Sequence, residues 1–317
     1  IWVKEQLDYY TDKHFFRADG TYDMTTNTQT ISNIMISDGF KLDGKYKVYK
    51  NDIDLYSIPL HDDKTFELLQ RAQTTGVFQL ESAGMKRYLR DLKANSFEDI
   101  IAMVALYRPG PMQFIDSFIK RKHGQEPITY LHKGLENALK STYGIMIYQE
   151  QFMQISREWC GFTGGESDTL RKAVGKKKVK LMEELKPKFI KGAVKKGHSE
   201  DVLNKIWDEW KKFAEYAFNR SHSACYAYVA YQSGYLKAHY PCEYVAACLQ
   251  AEGDGKKLQV LGKECVRMGI TLLPPDVNLA KAEFTVEDRK IRYGLARIKG
   301  MSEMAIIPII EEREKNG

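Results

Sequence analysis

The sequence predicts a mainly α-helical chain with small β elements, and three observations carry that expectation. From Asp62 onward apolar residues recur with the helical period, period-two alternation is confined to short stretches, and breakers such as Arg108-Pro109-Gly110-Pro111 and Gly253-Asp254-Gly255 punctuate the pattern. Residues 1–57 are polar and rich in Thr, Asp and Tyr, with Gly20, Gly39 and Gly44 among them. Within them 40–42 and 45–49 alternate like short exposed strands or a hairpin. Helices are predicted at 63–71, at 85–92 after Gly84, and at 96–106, where Ser96 is the N-cap with Asp99 three residues on. Further helices are predicted at 111–121, 148–160, 179–196 with Pro187 as a kink point, 199–216, 224–239 and 242–251. After the Gly253-Asp254-Gly255 linker come a helix at 258–268, strands at 282–286 and 290–293, and two helices within 295–311 around Lys299-Gly300-Met301-Ser302. Three regions follow from this pass: 1–57, 58–252 and 253–317.

Composition agrees with a soluble globular protein. The chain has 317 residues, 28% charged and 43% hydrophobic, enough for one large core or two to three smaller ones. No apolar run approaches the length of a bilayer span and Ile1-Trp2-Val3-Lys4-Glu5-Gln6 is no secretory signal, so a cytoplasmic protein is the expectation. The five cysteines, Cys160, Cys225, Cys242, Cys248 and Cys265, are scattered without paired spacing and read as reduced core thiols.

The formal net charge of +6 matters less than where it lies. Between Arg171 and Lys196 eleven Lys or Arg residues face only Glu183 and Glu184. The Gly-rich 160–165 stretch before this block, the Gly175 break and the Arg-Lys head suggest a loop-to-helix phosphate cradle rather than a solvated helix face. A second concentration is Asn219-Arg220-Ser221-His222-Ser223, which packs a carboxamide, a cation, an imidazole and two hydroxyls into consecutive positions between aromatic residues. Unpaired burial would cost about 1–3 kcal/mol per group, so these side chains either pair with one another or face a cleft, and the cleft is the expectation. His222 has two readings, a phosphate donor or a capped core histidine. Arg108, before Pro109-Gly110-Pro111, either reaches a phosphate or caps the preceding helix. Gln149 and Gln151 are candidate pocket-lining residues, and Tyr226, Tyr228, Tyr231 and Tyr235 form a buried aromatic stripe or a base-stacking face.

Five segments also carry a family resemblance: GVFQLES at 76–82, ALYRPGPM at 105–112, YGIMIYQEQ at 143–151, RKAVGKKK at 171–178 and FNRSHS at 218–223. In this order they resemble the fingers domain of the alpha subunit of bacterial DNA polymerase III, a C-family replicative polymerase. From LPPDVN at 273–278 onward the chain continues to resemble the family less specifically, and before Asp54 poorly.

The resemblance implies a trailing piece of a palm-like region at 1–57, helical fingers at 58–252 and the start of a helix-hairpin-helix or clamp-proximal region at 253–317. It implies nucleotide binding by Arg171, Lys172, Asn219, Arg220, Ser221 and His222, with Lys172 departing from the family's usual second arginine and Arg220 from its usual lysine. DNA binding falls to Arg108, Lys176, Lys177, Lys178 and Gly300, the last at a turn whose backbone N–H groups could meet a phosphate; Ser302 stands where a second glycine is usual, and a simple helical hairpin is the other reading. The family uses Mg2+ on palm aspartates. The upstream pair has no counterpart here, and Asp23, followed by Thr25-Thr26-Asn27-Thr28-Gln29 instead of an apolar run, is the candidate catalytic and metal residue or else a surface-loop aspartate.

The expected function is template-directed DNA synthesis in replication, deoxynucleotidyl transfer to a primer 3′-hydroxyl, by a DNA-directed DNA polymerase of which this chain is a fragment inactive alone. Primer-template DNA, deoxynucleoside triphosphates, a sliding clamp and a proofreading subunit are the expected partners, with no membrane. The alternative is a non-catalytic nucleic-acid-binding fragment or paralogue. A kinase or ATPase is disfavoured, since no phosphate-loop glycine motif stands at a strand-to-helix junction.

Overall fold

A computed structural model describes residues 55, 57–175, 178–213 and 216–316. In chain order the helices are α1 Asp63–Gln70, α2 Ala83–Leu92, α3 Phe97–Leu106, α4 Ile115–Lys122, α5 Glu136–Leu139, α6 Gln149–Cys160 and α7 Gly164–Gly175. They continue as α8 Val179–Val194, α9 Glu200–Phe213, α10 Arg220–His239, α11 Pro241–Ala251, α12 Gly255–Arg267 and α13 Glu303–Asn316. Short 3-10 turns lie at Pro111–Phe114, Lys133–Leu135, Lys140–Thr142 and Leu295–Arg297. Strands β1 Thr271–Leu273, β2 Thr285–Glu287 and β3 Lys290–Arg292 form one sheet in the order β1-β3-β2. The mainly helical expectation is met. No helix of the described residues is long and apolar enough to cross a membrane.

Local chemistry explains the boundaries. Ser96 caps α3 in the way its sequence announces: Ser96 Oγ accepts from Asp99 N, and the Asp99 carboxylate accepts from Ser96 N at 3.1 Å. The carboxylate also holds Lys122 Nζ at 2.8 Å in a largely buried pair. Helix α7 has no counterpart in the sequence reading. It begins with a capping box of its own, in which Thr163 N donates to Glu166 Oε2 at 2.9 Å and Glu166 N donates to Thr163 Oγ1 at 3.3 Å, and it runs on to Gly175. Helix α10 starts at Arg220 rather than 224, because Asn219 Oδ1 accepts from His222 N at 2.8 Å and so caps the helix four residues earlier. Of the two helices expected within 295–311, the first is only a 3-10 turn. Strand β1, not anticipated, pairs parallel with β3, whereas β2 and β3 form a hairpin closed by Asp288 and Arg289 at φ 47° and 63°, both left-handed as a two-residue primed turn demands.

Contacts divide the chain into two compact units. Within the first, at residues 94–228, α6 packs against α7 and α8 over a core containing Phe152, Trp159, Phe189, Trp207, Trp210 and Phe213. Each of these rings removes roughly 150–250 Å² from water, worth about 4–6 kcal/mol as an upper bound. Gly192 of α8 lies where a Cβ would stand 2.0 Å from the carbonyl oxygen of Cys160. The second unit joins described residues 55 and 57–93 with those from Val229, around Val245, Leu249, Leu261, Cys265, Phe284 and Ile291.

These units do not follow the sequence boundaries, because residues 58–93 are tied to the chain beyond 229. Tyr231 Oη accepts from Asp62 N and donates to Pro59 O, both at 3.0 Å, and Tyr244 Oη donates to Gly76 O at 2.7 Å. The Gly253-Asp254-Gly255 stretch acts as a cap: Asp254 Oδ1 accepts from Lys256 N and α12 starts at once. Nearly all of the 1–57 region, including Asp23, lies outside the described residues. The five cysteines are free, and all but half-buried Cys248 are buried.

Candidate functional site

In the first unit the starts of α6 and α10 meet at one carboxylate, that of Glu150, and a third helix end lies against the neighbouring Gln149. Glu150 Oε1 accepts from Asn219 Nδ2 and its Oε2 from the backbone N of Arg220, each at 2.9 Å, so Glu150 fixes the first residues of α10. A strand-like bridge reinforces the junction, with Gln149 N donating to Phe218 O at 2.8 Å and Phe218 N to Ile147 O at 3.2 Å. The third end is that of α7. A Cβ on Gly175 would stand 2.9 Å from Gln149 Nε2, so a side chain there would push the Gln149 amide aside. Burial pushes the half-buried Glu150 carboxyl above its ordinary value, opposed by the Arg220 N–H and the charges of Arg171 and Arg220. Glu150 therefore senses both arginines.

Each cation has a carboxylate partner. Arg171 Nη2 stands 2.9 Å from Asp168 Oδ1 and Lys172 Nζ 2.7 Å from Asp168 Oδ2, one helical turn apart on α7. Burial opposes ionisation of Asp168, but hydrogen bonds from Lys172 and Arg171 outweigh it and hold the carboxyl below its usual range. The Arg220 guanidinium meets both carboxylate oxygens of Glu98, at 2.7 and 2.9 Å. Desolvation works against the Arg220 charge, and Glu98 more than compensates.

A family described as the bacterial DNA polymerase III alpha subunit finger domain matches residues 35–197. The chain belongs to this finger-domain family. A helix-hairpin-helix motif matches residues 269–317. Among curated proteins, DNA polymerase III subunit alpha of Aquifex aeolicus is 51% identical over 267 residues, covering 83% of this chain and 23% of that protein. The Thermus aquaticus protein of the same name is 46% identical over 272 residues (84% and 22%), and that of Escherichia coli K12 is 49% identical over 274 residues (84% and 24%). The chain thus spans about a quarter of the length of the curated relatives it matches.

Within this finger-domain chain the polar run at 219–223 departs from the open cleft expected of it. Asn219 and Arg220 are paired as above, and buried Ser223 donates from Oγ to Ile101 O. Buried Ser221 differs: its Oγ has no hydrogen-bond partner among the described residues. His222 is half-buried rather than in the core. Its ring stacks on Tyr226 at 4.7 Å and meets Phe218 edge-on at 5.4 Å. Tyr228 and Tyr231 are buried, as the stripe reading expected, while Tyr226 and Tyr235 are half-buried and stack on His222 and His239.

Two expected site residues have structural partners instead. Arg108 Nε donates to Ala105 O at 3.0 Å, capping α3, its Nη2 donates to Tyr216 O, and its guanidinium lies 4.6 Å over the Phe218 ring. Its charge is directed into the fold, which favours the capping reading over phosphate contact. Gln151 is buried, accepts from Ile147 N and Tyr148 N at 2.8 and 3.0 Å, and donates to Thr142 Oγ1 and Ala138 O at 2.8 and 3.2 Å, so it staples a loop rather than lining a pocket. Arg171 and Lys172 stand near the end of α7, Lys172 in its last turn, not at a helix start. There the helix dipole favours the cations themselves.

Lys178 is exposed at the start of α8, and Gly300 turns at φ +91°. Lys176, Lys177 and Asp23 lie outside the described residues. Among the described residues no group of three or more His, Cys, Asp or Glu side chains is placed to hold a metal ion, so the expected magnesium has no site there. Sequence reasoning missed the three carboxylates Glu98, Glu150 and Asp168. Only Asp168 carried a local signal, its spacing of three and four residues from Arg171 and Lys172.

Proposed function

We propose that this chain holds the triphosphate of an incoming deoxynucleotide, and the backbone of primer-template DNA, for a replicative DNA polymerase. The observation that supports this most is that Glu150, which holds the start of α10 through the Arg220 N–H and the Asn219 amide, feels the charges of both Arg171 and Arg220, from helices far apart in sequence. Two arginines and Lys172 offer forked and point donors suited to a chain of phosphates. The 20-residue helix α10 adds the positive end of its dipole, and Ser221 adds a buried hydroxyl with no protein partner among the described residues. Holding the triphosphate in line is the part of phosphoryl transfer that such residues perform, by orienting and neutralising it. Magnesium, with Asp23 among its carboxylates, belongs in this proposal outside the described residues. Lys176, Lys177, Lys178 and the Gly300 turn are proposed to meet DNA phosphates, and a sliding clamp and a proofreading subunit are the proposed replisome partners.

Arg171→Ala in the complete polymerase subunit tests the reading. A charged hydrogen bond to the transferring phosphates is worth about 1.5–3 kcal/mol, so kcat/KM for the nucleotide should fall roughly 10- to 150-fold, with KM raised and kcat lowered. Unchanged nucleotide kinetics combined with weaker duplex binding would assign the residue to the DNA backbone instead.

A further inference from the structure

We infer that Glu98 and Asp168 are counter-carboxylates that an incoming triphosphate displaces, and that they thereby set the affinity for the nucleotide; this rests on the function proposed above. All three candidate phosphate-binding cations are engaged: Arg220 on both oxygens of Glu98, Arg171 and Lys172 on the two oxygens of Asp168. Three cations face three carboxylates once Glu150 is added, so the site is close to charge balance without a ligand. A phosphate chain can gain these donors only by taking them from an acid already there.

The three acids differ in how firmly they are held. Glu150 accepts from a backbone N–H and from the capping residue Asn219, so moving it would undo the start of α10. Glu98 and Asp168 bond to these cations through side chains alone, and they are 49% and 34% exposed. Pairs so open to water are worth about 0.2–1 kcal/mol, less than the charge-assisted contacts a phosphate offers. The cations are equally able to change partner. Arg220 is fixed through its backbone N by Glu150, whereas its guanidinium alone reaches Glu98, so the side chain can turn to a phosphate while α10 stays in place. Until then the acids keep each cation extended and ordered, and they oppose capture of anions too weakly charged to replace them.

The inference predicts a gain where loss is the ordinary result of altering a polar residue in a site. In the complete polymerase subunit, Glu98→Gln and Asp168→Asn should each lower the apparent KM for deoxynucleoside triphosphate about 1.5- to 5-fold, the range that the worth of an exposed pair converts to, and should raise kcat/KM. Because the two acids serve different cations from different helices, the double variant should approach the product of the two effects. Glu98→Asp, which keeps the charge, should stay closer to the parent than Glu98→Gln. The variants lie on separate helices, so a folding defect in one, read from its thermal melt, leaves the other decisive. If both neutral variants leave KM unchanged or raise it while Arg171→Ala weakens nucleotide use, the acids are fixed supports and the displacement idea is wrong, with the nucleotide site intact. If Arg171→Ala has no effect on nucleotide kinetics, both ideas fall together.

Discussion

Arg220 and Lys237 belong to the same helix, α10, yet the two units they serve treat their charges in opposite ways. Arg220, in the first unit, pairs with half-exposed Glu98 and keeps its guanidinium within reach of water. Lys237, in the second, is 0% exposed; its Nζ reaches Glu264 Oε1 and Thr75 O, each at 2.6 Å, and Glu264 is only 6% exposed and also held by Arg267. An exposed pair costs little to open because water replaces each partner. A buried pair cannot open without leaving a charge in a medium that solvates it poorly. The first arrangement suits a site that must exchange one anion for another, and the second suits a fold that must not move.

The strongest way to break this comparison is to remove the buried acid. Glu264→Leu strands the Lys237 ammonium with only the Thr75 carbonyl and should cost about 3–5 kcal/mol in denaturant or thermal unfolding, whereas Glu264→Leu with Lys237→Met should recover much of that loss. A loss below about 1 kcal/mol for the single change would mean that Lys237 finds water or sheds its proton, and the contrast with Arg220 would disappear.

Acid should expose the same asymmetry. Against the effect of burial, hydrogen bonds from Arg267 and Lys237 hold the Glu264 carboxyl at about 2. A depressed carboxyl contributes stability that is complete above the ordinary glutamate value of about 4.3 and is lost as pH falls through the folded value. The melting temperature should therefore decline from about pH 4 toward pH 2, and the decline should be shallower in Glu264→Leu. Equal slopes would show that other carboxylates dominate.

A smaller effect sharpens the picture within the first unit. Ser223→Ala removes a buried hydrogen bond to the Ile101 carbonyl and should cost about 1 kcal/mol. Ser221→Ala, two residues away and equally buried, removes a hydroxyl with no partner among the described residues and should change stability by less than about 0.5 kcal/mol. A matching cost at the two positions would show that Ser221 is tied into the fold after all.

How much of this was legible follows from the range of each interaction. The Ser96 cap could be read because donor and acceptor are three residues apart, and the same spacing at Thr163 and Glu166 was there to be read. The glycines at 164 and 165 disguised it, since they suggest a loop where the cap chemistry starts a helix. The cations of the site were visible as runs in sequence. Glu98 was not, because its partner Arg220 lies 122 residues away, nor was Glu150, 70 residues from the N–H it accepts. The unit boundary stayed hidden for the same reason: Tyr231 meets Pro59 across 172 residues. Strand β1, three residues long and partnered in parallel by a later strand, offers too short a pattern to separate from loop.

The half-buried and buried thiols have a practical consequence. Burial raises Cys160 to about 12 and Cys248 and Cys265 to about 11, and lifts Cys242 as well. Thiolate rather than thiol attacks oxidants and alkylating reagents, and at neutral pH Cys160, Cys248 and Cys265 are ionised to only about one part in ten thousand or less. Handling in air should therefore leave these three sulfurs chemically silent while the fold is intact, and their labelling by iodoacetamide becomes a clock for local opening of the helices that enclose them.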